Sequence, residues 1–195
     1  MIIGVAFGLI IVVLALGIII YNKLVERRNK VGNAFAQIDV QLKRRYDLVP
    51  NLVETARAYM AHERTTLEAV VVARNQAQQA SQAVQQEAQN TQALATLANA
   101  EAVLSHSLGR LFALAEAYPD LKADQTMLRL TEELTTTENK LAFARQAYND
   151  AVMQLNTAIE SFPAVLFASG LGFKKANLLQ ALDSEQERKA PVVKF

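Results

Sequence analysis

An all-α protein is predicted: an N-terminal transmembrane helix followed by a long up-and-down antiparallel four-helix bundle. Three observations lead there. The opening residues 1–20, MIIGVAFGLIIVVLALGIII, carry no charge, amide or hydroxyl. Beyond them, apolar residues recur in steps of three and four, the period of a helix and not of a strand. Finally, 7 Gly and 4 Pro in 195 residues are too few turn residues for a many-stranded sandwich.

The leader sets the cellular address. Twenty helical residues at 1.5 Å each cover about 30 Å, the thickness of a bilayer's hydrocarbon core. Residues 1–21 are therefore expected to be a transmembrane anchor. A cleaved signal peptide needs a basic start, a shorter apolar core and a small-residue cleavage site. Nothing basic precedes this core, and its small residues Ala15 and Gly17 are followed by further apolar ones. Lys23, Arg27, Arg28 and Lys30 follow the span, against Glu26 alone. The positive-inside rule puts that flank in the cytoplasm and the N-terminus outside; a periplasmic body is the alternative. Tyr21 takes an interfacial aromatic position. Gly4 and Gly8 form a GxxxG pair, a spacing that lets two membrane helices approach closely, although Gly is also simply common in such helices.

Residues 22–162 are expected to form the bundle. A first stripe runs through Leu24, Arg28, Val31, Phe35, Ile38, Leu42 and Val49, with Tyr46 adjoining. Pro50 then either kinks one long helix or opens a second at its first turn, where a missing N–H costs nothing. The stripe resumes at Leu52, Ala56, Met60, Leu67, Val70 and Val71. The stretch 75–92, rich in Gln, Ala, Ser and Asn, is the expected connection; because it lacks Gly and Pro, frayed or continuing helix is expected on both sides of a short turn. A third stripe holds Leu94, Leu97, Leu104, Leu108, Leu111, Ala115 and Tyr118, with Glu101 at the skipped heptad position. The fourth helix opens near Asp120 or Asp124, either of which can cap it. Its stripe is Met127, Leu130, Leu134, Leu141, Ala144, Tyr148, Leu155 and Phe162, and Pro163 ends it. Stripes this long are buried by nearly parallel packing.

A polar seam accompanies the fourth stripe. Glu138, Arg145, Asn149 and Asn156 are separated by 7, 4 and 7 residues, offsets that return to nearly one line on a helix. Asn22, Asn29 and Asn33 repeat the arrangement near the anchor. A solvated face explains such seams on most helices. Polar groups beside an apolar stripe can also fix register between helices, and Glu138 and Arg145 are expected to be partly buried and paired across helices.

Most chemical constellations fail. No Cys is present, which removes disulfides, thiol nucleophiles and thiolate metal sites. His62-Glu63 begins like a zinc-protease motif, but position 66 is Thr66. His106 lies between Ser105 and Ser107, and residues so close on a helix do not share a face. Gly170-Leu171-Gly172 follows no strand, and Ser169 lacks a GxSxG context. Neither a cofactor nor a metal is expected. A net charge of +1 gives no case for nucleic acid. The cluster Lys43-Arg44-Arg45 is small and diluted by Asp39 and Asp47, so ion pairing with a neighbouring helix or subunit is the expected use. In residues 163–195, the apolar run FPAVLFASGLGF, which starts at Phe162, is too short to span and is expected to lie on the membrane or under the bundle. The tail ERKAPVVKF reads as a short peptide end that adds to a partner or stays unstructured.

YNKLVERRNKVGNAFAQIDVQLKRRYDLVPNLVETARAYMAHE (residues 21–63) closely resembles the signature of the LemA family. So do AYPDLKADQ (117–125), ENKLAFARQAYNDAV (138–152), and FPAVLFASGLGF with the closing APVVKF. Phe35 stands where the family's aromatic in the NAWAQIDV segment is Trp; residues 76–93 carry no likeness. The resemblance implies a single-span protein of the bacterial inner membrane with a helical bundle, an outward N-terminus and no established catalysis. Some relatives are encoded near membrane proteases or envelope-stress components, and a magnetosome protein is related. It brings no active site. The motif positions Arg27, Asn29, Asp39, Arg44, Arg45, Asp47, Pro50, Glu138, Arg145, Tyr148 and Asn149 are then bundle-interior or interface residues.

The expected function is a non-catalytic, membrane-anchored scaffold that self-assembles, as a homo-oligomer, and recruits partners. The alternative is a regulatory adaptor of a membrane protease or envelope-stress system. An enzyme would need an acid–base or nucleophile pair in a pocket, and the sequence offers none.

Overall fold

The computed structural model describes residues 2–86 and 90–179, and the tail from residue 180 onward lies outside them. Five α-helices occur among the described residues: α1 (Ile2–Tyr59), α2 (Arg64–Gln86), α3 (Thr91–Ala115), α4 (Pro119–Ala123) and α5 (Gln125–Glu160). A 3-10 turn follows at Ala164–Leu166. The all-α class is as the sequence predicts.

Pro50 does not open a new helix. It lies inside the 58-residue α1, on an exposed position, while Val49, Leu52 and Val53 beside it are fully buried. Their burial offsets the interior-proline cost of about 3 kcal/mol. The chain turns instead at residues 60–63, where the Met60 carbonyl accepts from the Glu63 N–H at 3.0 Å.

The polar stretch 75–92 continues as helix on both sides of the break between α2 and α3, as its lack of Gly and Pro predicts. In α2, Ala73, Ala77, Ala80, Ser81 and Val84 are buried and Gln76, Gln79, Gln82 and Gln85 face outward. Small residues at helical spacing give α2 a stripe without large side chains, and α2 packs on α3. Asn90 caps α3, its Oδ1 accepting from the N–H groups of Gln92 and Ala93 at 2.9 and 3.3 Å. Asp124 rather than Asp120 caps α5, accepting from the Met127 N–H at 2.9 Å.

Two compact units emerge among the described residues: one from residues 2–38 and 143–178, the other from residues 39–86, 90–142 and 179. The core of the first is Ile20, Leu24, Leu155, Ile159, Ala164, Ala168 and Phe173. The second is built on the α1, α2 and α3 stripes and the first half of α5, with Leu42, Val49, Leu52, Val70, Leu104, Leu111 and Leu141 at 1% exposure or less.

Two expectations are corrected. Phe162 was expected on the buried α5 stripe, but α5 stops at Glu160 and Phe162 is 80% exposed. The leader and the first stripe lie in one helix, α1, with no break at Tyr21. Among the described residues, moreover, no helix is long and apolar enough to cross a membrane. The side chains at positions 1, 2, 4, 6, 9 and 10 lie outside the described residues.

Candidate functional site

Among the described residues the stripes leave two charged positions buried where leucines would suffice. Arg45 falls on the α1 stripe between Leu42 and Val49, and Glu101 on the α3 stripe between Leu97 and Leu104. Both are closed off, at 1% and 0% side-chain exposure. Burying either charge alone costs several kcal/mol, so each needs a partner.

The partner is the other. Arg45 Nη1 donates to Glu101 Oε2 at 2.8 Å, and Nη2 donates to the Ser105 hydroxyl at 2.8 Å. The second carboxylate oxygen, Glu101 Oε1, accepts from the Tyr46 hydroxyl at 2.5 Å. Glu138 of α5 closes on Nη2 at 3.3 Å from its exposed position. The Tyr46 carbonyl in turn accepts from Arg74 Nε at 3.0 Å. Residues of α1, α3 and α5 thus meet around one guanidinium, and Arg74 of α2 ties the neighbouring Tyr46 backbone to them. Gln41 Oε1 and Arg45 Nε, one helical turn apart, are buried with no protein partner.

Burial pushes the Tyr46 phenol well above the ordinary tyrosine range, and the Glu101 carboxylate beside it adds to the shift. The phenol therefore stays protonated and donates, while Glu101 accepts. Such an arrangement fixes which face of α1 meets which turn of α3, because a slip of one position strands a charge. Its chemistry is positional.

The residues singled out from the sequence fall into three groups. Arg45 and Glu138 come together as just described, although Glu138 is exposed where partial burial was expected. Arg44 approaches Glu133 at 3.7 Å with both side chains well exposed, and Asp39 accepts from Gln85 on the surface. Asn29 is exposed, as are Asn22 and Asn33, so the solvated reading holds for that line. Arg145 and Asn149 are half-buried and engaged. In the same unit Asn156 Nδ2 donates to the Ala176 carbonyl at 3.0 Å, and its Oδ1 accepts from the Ala176 N–H at 2.9 Å. Gly4 and Gly8 lie within α1, with open space around Gly8. His62 and His106 are both exposed. Among the described residues no group of three or more His, Asp or Glu is placed to hold a metal.

Glu101 and Tyr46 were noticed in the sequence only as a skipped heptad position and a neighbour of the stripe. The signal was there: an acid within an otherwise leucine stripe must find a buried base.

A second constellation lies in the unit of residues 1–38 and 143–178. Its last segment folds back onto α1, where Phe173 meets Tyr21 edge-on at 5.6 Å and carries the Arg28 guanidinium 5.3 Å from its ring centre. The Phe173 N–H donates to the Ala168 carbonyl at 3.0 Å, and Gly172 takes a φ of 78°, a conformation that favours glycine. While Ala164, Ala168 and Phe173 are buried, Phe162 and Leu166 project at 80% and 69% exposure. Deeper along α5, Tyr148 meets Phe35 edge-on at 5.8 Å and donates to the Asn177 carbonyl at 3.0 Å; burial raises its phenol too.

The LemA family model matches residues 34–195. Two magnetosome proteins, MamQ 1 and MamQ 2 of Paramagnetospirillum magneticum, are each 32% identical over 84 residues, which is 43% of this chain and 31% of each relative. MamQ of Magnetospirillum gryphiswaldense is 30% identical over 79 residues, 40% of this chain and 29% of the relative. The similarity thus spans about a third of the length of the curated relatives. The family match, by contrast, runs from residue 34 of α1 past the buried ion pair and the folded-back segment, and the chain belongs to the LemA family.

Proposed function

We propose that this protein is a membrane-anchored, non-catalytic scaffold that self-assembles and recruits partners at the bacterial cytoplasmic membrane. The observation that carries the reading is the continuity of α1. The uncharged leader of residues 1–20 passes into the body within one helix, Ile2–Tyr59, so a span of the leader is coupled to the body without a flexible joint. LemA membership and the partial likeness to magnetosome proteins support membrane association.

The topology places the N-terminus outside and the body in the cytoplasm, on the basic flank Lys23, Arg27, Arg28 and Lys30. The body is an up-and-down four-helix bundle registered by Arg45 and Glu101. Self-assembly is supported by large apolar side chains left exposed along the helices, among them Val40, Val72, Val103, Leu128 and Phe143 at 50–73%. Gly4 and Gly8 add a surface for close approach within the bilayer.

The mass of the full chain extracted in mild detergent tests this reading. A discrete homo-oligomer is expected. A monomer that co-purifies with a membrane protease would replace it by the adaptor reading.

A further inference from the structure

At the foot of α1 a groove of about 400 Å³ opens between Ile20–Arg27 and the end of α5. Its wall is apolar, formed by Ile20, Leu24, Ala158 and Ala164, and two cations on α1, Lys23 and Arg27, line it. We propose that this groove binds one anionic phospholipid, the phosphate on Lys23 and Arg27 and the start of an acyl chain against the apolar wall.

Charge, shape and depth support that occupant. Lys23 and Arg27 stand four residues apart, on one face and one turn apart, the reach of two donors around a single phosphate. The acids nearby are already engaged: Glu26 holds Lys30 at 2.7 Å, and Glu160 pairs with Lys175. Arg27 bonds only the neutral Gln154 amide, and Lys23 makes no ion pair among the described residues. Neither cation has a direct ion pair among the described residues, and the Glu26 carboxylate, held by Lys30, acts on both only through its field. Depth follows from helical rise. Lys23 lies about 4.5 Å and Arg27 about 10 Å beyond Ile20, which matches a headgroup layer if residues 1–20 fill the hydrocarbon. Exposed Phe162 at the mouth extends the apolar wall toward that layer, which a free phosphate would not use.

The inference rests on the membrane-anchored reading, and the experiment separates the two. Full-length protein is first floated with neutral phosphatidylcholine vesicles; failure to float sinks the anchored reading and this one with it. Native mass spectrometry of the detergent-solubilised chain is then run with phosphatidylglycerol, phosphatidylcholine or glycerol phosphate added. Retention of one phosphatidylglycerol per chain is expected, with Lys23→Gln/Arg27→Gln lowering its occupancy by about tenfold. The control Arg28→Gln/Lys174→Gln, which removes the same charge outside the groove, leaves occupancy within about twofold. Ser161→Trp, which fills the groove without changing charge, lowers it as well. Floating without a preference for phosphatidylglycerol, equal losses in both charge variants, or displacement by glycerol phosphate would each overturn the lipid site while leaving the anchor standing.

Discussion

The two units of this chain differ in the charge they bury and in the size of the apolar side chains they expose most. In the unit of residues 39–142, Arg45 and Glu101 are drawn into the interior at 1% and 0% exposure. In the unit of residues 1–38 and 143–178, the charges Lys23, Arg28 and Lys175 stay exposed, while Phe162 and Leu166 face outward at 80% and 69%. Buried charge makes sense where helices must be held in one register. Exposed apolar surface makes sense where the surrounding medium is not only water. The unit of residues 39–142 holds its helices in register through a buried ion pair, and the other leaves charges and apolar rings together at its surface.

Breaking the buried pair gives the largest effect. Glu101→Leu leaves Arg45 desolvated with only Glu138 and Ser105, and costs about 4 kcal/mol in chemical denaturation. Arg45→Met combined with Glu101→Leu restores stability to within about 1 kcal/mol of the native chain. An additive loss in the double variant would show that the two do not act as a pair.

Removing a core ring in the other unit comes next. Phe173→Ala costs about 3 kcal/mol, through lost packing on Tyr21 and the Ile20–Leu24 core. Tyr46→Phe comes third, at about 1–2 kcal/mol, because Glu101 Oε1 loses its donor. It also changes the pH dependence. The folded phenol titrates above its unfolded value, so the stability it confers is complete below about pH 10 and is lost as pH rises beyond that. Tyr46→Phe therefore flattens the alkaline limb of a stability–pH curve, leaving the part due to Tyr148.

The smallest effects sharpen the contrast. Phe162→Ser changes the denaturation midpoint by less than about 0.5 kcal/mol, since the ring is 80% exposed, yet it weakens vesicle binding. Arg44→Gln is equally silent, because the Arg44–Glu133 pair is long and exposed and worth less than about 0.5 kcal/mol.

The helices were legible because their stripes are long: Leu94, Leu97, Leu104, Leu108, Leu111 and Ala115 of α3 are all buried as their spacing predicts. The Ala-rich stripe of α2 was missed because alanine and glutamine carry little hydropathy contrast, and composition was read before period. Pro50 left two alternatives open locally, and burial on either side of it decided between them. Arg45 was named in the sequence, but its partner was not. Periodicity says that Glu101 is inside, and only the fold says which base lies opposite. The folded-back segment was recognised as apolar and short, while the separation of Phe173 inward from Phe162 outward depends on turns at Pro163 and Gly172 that no period encodes.

The account stands on the leader as a lasting tether, and fractionation of the full chain tests this most directly. After membranes are washed in alkaline carbonate, the native chain should stay in the pellet, and Ile11→Arg combined with Leu14→Arg should move it to the supernatant. Recovery of the native chain in the supernatant, or as a shorter polypeptide starting beyond Ile20, would contradict it.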